Sequence, residues 1–300
     1  MTKNILVTGG LGFIGSHLLE RLIELNYSVS VIDNLAANSG YQPPKPVKVF
    51  RQDISRSQVI DLVIKLKPQV IIHLAADNRV TSTQAEALKS NVIGTFNLLE
   101  AGKQAKIKQF IFSSSAAVYG DPVKLPITET HPTRPISAYG LSKLTGELYC
   151  RQYRSDFITS IFRFSNVYGP RQSSASEGGI VSILIDRLLN QAKPIIYGSG
   201  QQTRDFICVS DIVVGIILAL EKPQSFTLNL GSNQSTKIIT LLNTLSRLMK
   251  VKPEFIQKPF RPMEIKHSLF DYSLAKKTLS WQPKTNLIAG LRTTISYFSK

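Results

Sequence analysis

The chain has 300 residues, of which 43% are hydrophobic, so it can bury a substantial core and is no small peptide module. Its longest apolar run, residues 212–220, is far shorter than the ~20 residues that a membrane helix needs, so we expect no membrane span. The formal net charge of +16 favours polyanions and diphosphates, but the basic residues are scattered and match no nucleic-acid-binding motif. We therefore expect no specific nucleic-acid partner.

The N-terminus and the two cysteines limit the cellular setting. The first residues lead directly into a short apolar strand and show no secretory pattern, which predicts a cytoplasmic protein. Cys150 and Cys208 are isolated in sequence and have neither metal-binding spacing nor a disulfide pattern. They are predicted to be buried reduced thiols, and no metal site is expected.

The first half of the chain alternates short β-rich runs with helical stretches. Strands are predicted at residues 4–8, 28–33, 47–52, 70–74, 109–113 and 158–164. Helices are predicted at residues 13–25, 84–104 and 139–154, with one more opened by a Ser55-x-x-Gln58 capping box. This rhythm predicts an α/β fold whose doubly wound parallel sheet carries helices on both faces.

The rhythm changes after Asn166. A stretch rich in glycine and serine leads to a helix predicted at residues 180–191 and then to mixed short elements. We therefore predict a first domain over residues 1–166 and a smaller α/β C-terminal substrate lobe over residues 167–300. The pattern strand, helix, strand returns at about residues 205–230, where the chain is expected to rejoin the first domain.

A glycine-rich turn lies between the first strand and the first helix. Residues 8–15 read Thr-Gly-Gly-Leu-Gly-Phe-Ile-Gly, which fits the spacings Gly-x-Gly-x-x-Gly and Gly-x-x-Gly-x-x-Gly. Such a turn lets the backbone and a helix N-terminus approach a pyrophosphate, although glycines can also serve a purely structural turn. Asp33 ends the next strand, 18 positions after Gly15. There a carboxylate accepts hydrogen bonds from ribose hydroxyls and repels a 2′-phosphate, which predicts NAD over NADP; a turn or cap aspartate is the alternative.

A tyrosine and a lysine are spaced to share one helix face. Tyr139 and Lys143 are four residues apart, and a nearby cation stabilises phenolate, which lowers the tyrosine pKa towards that of a general base. Most pairs with this spacing lie on the protein surface and have no function. Here, however, Ser113-Ser114-Ser115 follows a predicted core strand that ends at the same crevice, which favours a functional pair. A serine hydroxyl there can bond the reacting oxygen, while a simple polar strand end remains the alternative for Ser113 and Ser114.

Together these residues resemble the extended short-chain dehydrogenase/reductase family, and within it the NAD-dependent epimerases and dehydratases of nucleotide sugars, which have a Rossmann domain. The resemblance covers nearly the whole chain: residues 8–17, 53–54, 73–76, 91–95, 113–120, 139–143, 163–171, 198–211 and 261–271. It implies NAD as cofactor, a nucleotide-diphosphate sugar as substrate, and a homodimer formed through the helices at residues 84–104 and 139–154.

The resemblance also implies roles for single residues. The catalytic set is Ser115, Tyr139 and Lys143. The cofactor contacts are Gly9, Gly12, Phe13, Ile14, Gly15, Asp33, Asn34, Asp53, Ile54, Leu74, Ala75, Ala76, Asn91, Tyr139 and Lys143. The substrate contacts are Ser115, Tyr139, Asn166, Gly179, Arg204, Arg261 and Ser268.

The chain departs from the family pattern at a few places. The link from Asp33 to the next strand is shorter than usual, and Phe206 lacks the hydroxyl that an aromatic residue often carries there. The common Arg-Pro-Gly-Asp reads Arg-Pro-Met-Glu at residues 261–264. In epimerases of this family that are restricted to unacetylated sugars, the position that matches Ser268 resembles a tyrosine gate. Serine is smaller than tyrosine, so the sugar pocket is expected to accept an N-acetyl group.

The leading hypothesis is epimerisation of a nucleotide sugar at carbon 4 through a 4-keto intermediate. A nucleotide-sugar 4-ketoreductase that consumes NADH or NADPH is the enzymatic alternative, and a non-catalytic NAD-sensing protein is the alternative from another class. Sugar dehydratases and decarboxylases place acidic residues after the catalytic Ser or Thr, where this chain has Ala116 and Ala117. Because alanine cannot transfer a proton, neither activity is expected.

Overall fold

The structure is a computed structural model that describes residues 3–36, 40–78, 83–174, 179–260 and 265–299. Its strands are β1 (Asn4–Thr8), β2 (Ser28–Asp33), β3 (Lys48–Arg51), β4 (Val70–His73), β5 (Gln109–Ser115), β6 (Ile158–Phe164), β7 (Asn166–Tyr168), β8 (Ile195–Tyr197), β9 (Thr203–Cys208), β10 (Phe226–Leu230), β11 (Ser235–Lys237) and β12 (Ile256–Lys258). Its α-helices are α1 (Phe13–Glu24), α2 (Gln58–Leu66), α3 (Gln84–Ala87), α4 (Gly94–Gln104), α5 (Ala138–Gln152), α6 (Ile180–Leu189), α7 (Val209–Glu221), α8 (Ile238–Met249), α9 (Ser273–Leu279) and α10 (Leu287–Phe298).

Seven strands of the described chain form one parallel sheet in the order β10-β6-β5-β4-β1-β2-β3. The chain runs outward from β1 to β3 and then returns to place β4 on the other side of β1. Such a reversal opens a crevice at the carboxyl ends of the strands, which is where doubly wound folds bind ligands. The predicted α/β fold class is confirmed.

Both faces of the sheet are buried, as expected for a parallel sheet covered by helices. Side chains alternate along β1: Ile5 and Val7 join the apolar cluster on one face, and Leu6 joins the cluster on the other. Trp281, from beyond α9, completes the first cluster and is 1% exposed. The sheet is therefore a rigid central layer that holds the ends of its strands in place.

The second half of the chain builds smaller sheets and then contributes to the large one. One small sheet has three strands in the order β11-β9-β7, and in another β12 pairs with β8. A third apolar cluster packs α6, α8 and α10 together. Strand β10 lies in parallel beside β6, so the chain returns to the large sheet after β9 and α7. The domain boundary at residue 166 stays a prediction.

One local prediction is wrong, and one helix with the predicted bounds departs from regular α-helical geometry. Ser55 does not cap α2, because its hydroxyl and its backbone N–H both donate to Asp53 Oδ1, and the helix begins at Gln58 without a side-chain cap. The predicted helix at residues 84–104 is interrupted by a π-helical segment, Leu88–Ile93. A capping box is present at the start of that region, where Thr83 and Glu86 satisfy each other's backbone N–H groups.

Strand β5 also runs further than its sequence pattern predicts. It continues to Ser115, because Ser114 and Ser115 pair with Arg163 and Phe164 of β6. The extension carries the last serine to the rim of the sheet. Among the described residues, no helix has the length and apolar character needed to cross a bilayer.

Candidate active site

A cavity of about 800 Å³ opens at the carboxyl ends of the central strands. Its floor comes from the turn after β1 and the ends of β2, β4, β5 and β6, and its outer wall comes from α6, β8 and β9. The predicted site residues that line it are Gly9, Gly12, Phe13, Ile14, Gly15, Asp33, Asn34, Ile54, Leu74, Ala75, Ala76, Ser115, Tyr139, Lys143, Asn166, Gly179 and Arg204. One cavity thus brings the predicted cofactor contacts and the predicted substrate contacts together.

The glycine turn has the close backbone packing that a pyrophosphate cradle requires. A Cβ at Gly15 would lie 2.3 Å from Gly9 O and 2.7 Å from Gly10 Cα, so no larger residue fits there. Gly12 caps α1 without a side chain, and the N-terminus of the helix therefore faces the cavity uncovered. Helix N-termini attract anions, so this turn fits the diphosphate of a dinucleotide.

Asp33 ends β2 at the edge of the same cavity and is 9% exposed. Its Oδ2 accepts from Leu11 N at 3.0 Å, and its Oδ1 accepts from Leu35 N at 2.8 Å. A carboxylate has about four acceptor sites, so both oxygens can still accept from ribose hydroxyls. Asp33 therefore braces the glycine turn and presents negative charge beside it.

The catalytic candidates converge from β5 and α5. Ser115 Oγ caps a short 3₁₀ turn by accepting from Ala117 N, and the same hydroxyl lowers the pKa of the Tyr139 phenol, against the larger effect of burial. Lys143 Nζ donates to Ser113 O at 2.8 Å and lies 5.8 Å from the centre of the Tyr139 ring. The three side chains form one polar group at the base of the cavity.

Close backbone contact sets the position of α5. A Cβ at Gly140 would lie 2.4 Å from Ala117 O, so only glycine lets the first turn of the helix reach the segment after β5. Ser137 caps that turn by accepting from Gly140 N. This contact brings Tyr139, the residue before Gly140, to the same cavity as Ser115.

Burial dominates the titration of the site. It raises the pKa of Tyr139 to about 12, against an opposing effect of the Ser115 hydroxyl, and it lowers the pKa of Lys143 to about 8. The sequence-based expectation that Lys143 lowers the tyrosine pKa is therefore wrong for the chain alone. Removing water from around the phenol disfavours the phenolate, and the group that opposes this effect is Ser115 and not Lys143.

Three predicted residues lie outside the lining of this cavity, and a fourth is not described by the structure. Asp53 lines a smaller adjoining pocket with Asn34. Asn91 is 2% exposed, accepts from Asp77 N and donates to Asp77 O. Ser268 is 4% exposed and is not part of the cavity lining, so its role as a sugar gate stays a prediction. Arg261 lies outside the described residues.

The structure gives the three consecutive serines different partners. Ser113 Oγ donates to His73 O, and Ser114 Oγ donates to the buried carboxylate of Glu147. Of the three serines, only Ser115 affects the pKa of Tyr139. The alternation of side chains along β5 separates Ser114 from the other two, because successive residues point to opposite faces of a sheet, and Ser113 is separated from Ser115 by its bond to His73 O.

Sequence reasoning missed much of the outer wall. Ile180, Ile183 and Arg187 share one face of α6 and line the cavity, as do Tyr197 and Gln202. The spacing of three and four residues between Ile180, Ile183 and Arg187 is visible in the sequence. An amphipathic pattern, however, does not reveal which part of the molecule one side of the helix faces. Cys150 and Cys208 are buried free thiols, and the described residues contain no cluster of metal-ligating side chains.

Comparisons with known proteins agree with this geometry. The sequence profile of the NAD dependent epimerase/dehydratase family matches residues 5–231. The UDP-glucose 4-epimerase of Mycolicibacterium smegmatis is 32% identical over 307 residues, which cover 98% of this chain and 97% of that protein.

Two solved structures are similar over their whole length. UDP-glucose 4-epimerase of Thermotoga maritima, solved with UDP-glucose, has 36% identity and a TM-score of 0.94, covering 99% of this chain and 98% of the other. UDP-glucose 4-epimerase of Thermus thermophilus, solved with NAD, has 31% identity and a TM-score of 0.92, covering 99% of each chain.

Proposed function

Because the chain belongs to the NAD dependent epimerase/dehydratase family, we propose that it interconverts UDP-sugars that differ in configuration at carbon 4, through a 4-keto intermediate. The observation that carries this proposal is the group Ser115, Tyr139 and Lys143 at the base of a cavity that also holds the glycine turn. The chain is an NAD-dependent enzyme. The cytoplasmic location remains a prediction from the sequence.

The site residues divide the work of such a reaction. The glycine turn and Asp33 hold the cofactor, which supplies reversible hydride transfer at carbon 4 when bound. Tyr139 moves the proton of the sugar hydroxyl, and Ser115 hydrogen-bonds the same oxygen. Lys143 holds positive charge beside the phenol. Arg204 and Asn166 line the outer wall, where a guanidinium fork suits the phosphates of the substrate.

The test is to incubate purified protein with UDP-, dTDP- and GDP-hexoses, acetylated and plain, and to read the carbon-4 configuration by NMR. We expect UDP-sugars to be interconverted with no net consumption of nicotinamide cofactor. Ala116 and Ala117 offer no acid or base, so no 4-keto-6-deoxy product and no decarboxylation are expected. Steady turnover of added NADH or NADPH would instead identify a ketoreductase.

We expect the enzyme to prefer NAD to NADP. The carboxylate of Asp33 lies at the end of β2, where a 2′-phosphate would meet negative charge. Asp33→Ala should weaken NAD binding and reduce the preference, as measured by the dissociation constants of both cofactors. Glu24→Ala, which removes an exposed carboxylate from the end of α1, is the control. Tighter binding of NADP than NAD by the native protein would contradict the assignment.

A homodimer through the region of α3–α4 and α5 is also part of the proposal. Large apolar side chains are exposed along these segments: Leu88, Ile93, Phe96, Leu141 and Leu148. Leu144 packs inside the chain against Ala116 and Val118, so it is no evidence for association.

Leu148→Glu should convert the dimer to a monomer, because Leu148 is 51% exposed and a charge there would be buried by association. Light scattering at micromolar concentration measures the mass. Ile288→Glu is the matched control, since Ile288 is 44% exposed on α10. A monomeric native protein, or a dimer that Leu148→Glu does not weaken, would exclude this interface.

A further inference from the structure

His73, the last residue of β4, is 1% exposed and is bonded at both ring nitrogens. Nδ1 lies 2.7 Å from Oγ1 of Thr8, and Nε2 lies 2.9 Å from Oγ1 of Thr95. Oγ1 of Thr95 also lies 2.6 Å from the carbonyl oxygen of Asn91, which has no proton of its own. Thr95 must therefore donate its single proton to Asn91 O and accept from Nε2–H of His73.

This assignment determines the remaining donor. Since Nε2 carries the ring proton of the neutral imidazole, Nδ1 accepts from the Thr8 hydroxyl. An imidazolium would donate from both nitrogens and leave the Thr8 proton without its acceptor. Burial and the positive charge of Lys143 both lower the pKa of His73, which agrees with a neutral ring.

The same chain of hydrogen bonds continues to the catalytic helix. Nδ2 of Asn91 donates to Oγ of Ser142 at 3.0 Å, and that hydroxyl donates to the carbonyl oxygen of Tyr139 at 2.8 Å. At the other end, Thr8 Oγ1 accepts from Ala75 N at 3.4 Å. Asn91, Ser142 and Thr8 are at most 4% exposed.

We propose that His73, as the neutral Nε2–H tautomer, is a positioning residue that ties the cofactor-binding turn after β1 to the first turn of α5. The part of this proposal that concerns turnover rests on the proposed function. Thr8 immediately precedes the glycine turn, and Tyr139 carries the phenol, so a buried run of hydrogen bonds, joined through the backbone and side chain of Asn91, spans both halves of the reaction centre. Each proton donated along this run has one acceptor, which leaves a single arrangement of protons.

A simple packing role would make a different prediction. His73 lies against Phe110 and Phe112, with ring centres 5.9 and 5.6 Å away, so its ring also fills space. Packing alone does not depend on which nitrogen carries the proton. The tautomer and the Thr95 hydroxyl therefore separate the two roles.

The first measurement is the ¹⁵N NMR spectrum of the protein labelled in its four histidines. Substituting His17, His131 and His267 in turn with glutamine identifies their signals and leaves that of His73. We expect a protonated Nε2 and an unprotonated Nδ1 at neutral pH. A proton on Nδ1 overturns the proposal, and this result does not depend on what reaction the enzyme catalyses.

The second measurement compares variants of matched shape. Thr95→Val should lower kcat by ~10- to 100-fold with little change in KM, since small displacements of a reacting group are costly. Thr95→Ser keeps the hydroxyl and should restore kcat. Thr294→Val is the control, because Thr294 is 0% exposed and donates in the same way to Gly290 O at 2.7 Å, on α10. If Thr95→Val lowers kcat no more than Thr294→Val does, His73 does not position the site.

Discussion

Replacing Tyr139 with phenylalanine should lower turnover by ~10²–10⁴-fold, the range for loss of a general acid–base group, and leave the fold intact. The substitution removes one oxygen atom, the phenolic oxygen whose pKa the Ser115 hydroxyl lowers, and keeps the aromatic ring. The backbone of the first turn of α5 stays held by the Ser137 cap and by the close contact of Gly140 with Ala117 O. The loss should therefore appear in kcat, while the circular dichroism spectrum and NAD binding change little.

The control for this experiment is Tyr297→Phe, which removes a hydroxyl from a tyrosine that is 42% exposed on α10. It should leave turnover unchanged. Because burial raises the pKa of Tyr139 to about 12, the phenol of the chain alone is protonated at neutral pH and the phenolate is scarce. A Tyr139→Phe variant with native turnover would remove this residue from the reaction.

Replacing Glu147 with alanine should reduce the free energy of unfolding by about 3–5 kcal/mol, the usual cost of removing one partner from a buried ion pair. The Glu147 carboxylate is 0% exposed and accepts from Arg163 Nε at 2.8 Å and Nη2 at 2.6 Å. It also accepts from Ser114 Oγ. Without it, the guanidinium of Arg163, only 2% exposed, would keep its charge in a low-dielectric interior and lose the carboxylate that pairs with it.

Urea unfolding of the native protein and the variant measures this loss. Glu24→Ala is the control, because Glu24 forms an ion pair at the surface with Arg21. The side chain of Arg21 is 49% exposed and that of Glu24 is 64% exposed. Such surface pairs contribute roughly 0–1 kcal/mol to the free energy of unfolding. Since Glu147 lies one helical turn after Lys143, the same change should also loosen α5 against β5. A variant as stable as Glu24→Ala would mean that Arg163 finds another partner.

The local sequence pattern was sufficient to predict those structural features that depend only on residues close together in the chain. The alternation of strands and helices predicted the bounds of β1, β2 and β6 as the structure has them, because short runs rich in β-branched and aromatic residues mark strands. The glycine turn and Asp33 were recognisable because a turn between strand and helix has few allowed backbone shapes. Family resemblance over most of the chain then predicted NAD and carbon-4 epimerisation.

Tertiary structure decided everything that depends on partners distant in sequence. The extension of β5 to Ser115 needed pairing with β6, and the partner of Ser114, the buried carboxylate of Glu147, lies 33 residues away in sequence. The raised pKa of Tyr139 is a property of the folded cavity, since desolvation depends on all surrounding atoms. The tautomer of His73 likewise follows from Thr8 and Thr95, which lie 65 and 22 residues away. No local pattern contains these contacts, because they form only when the sheet brings its strand ends together.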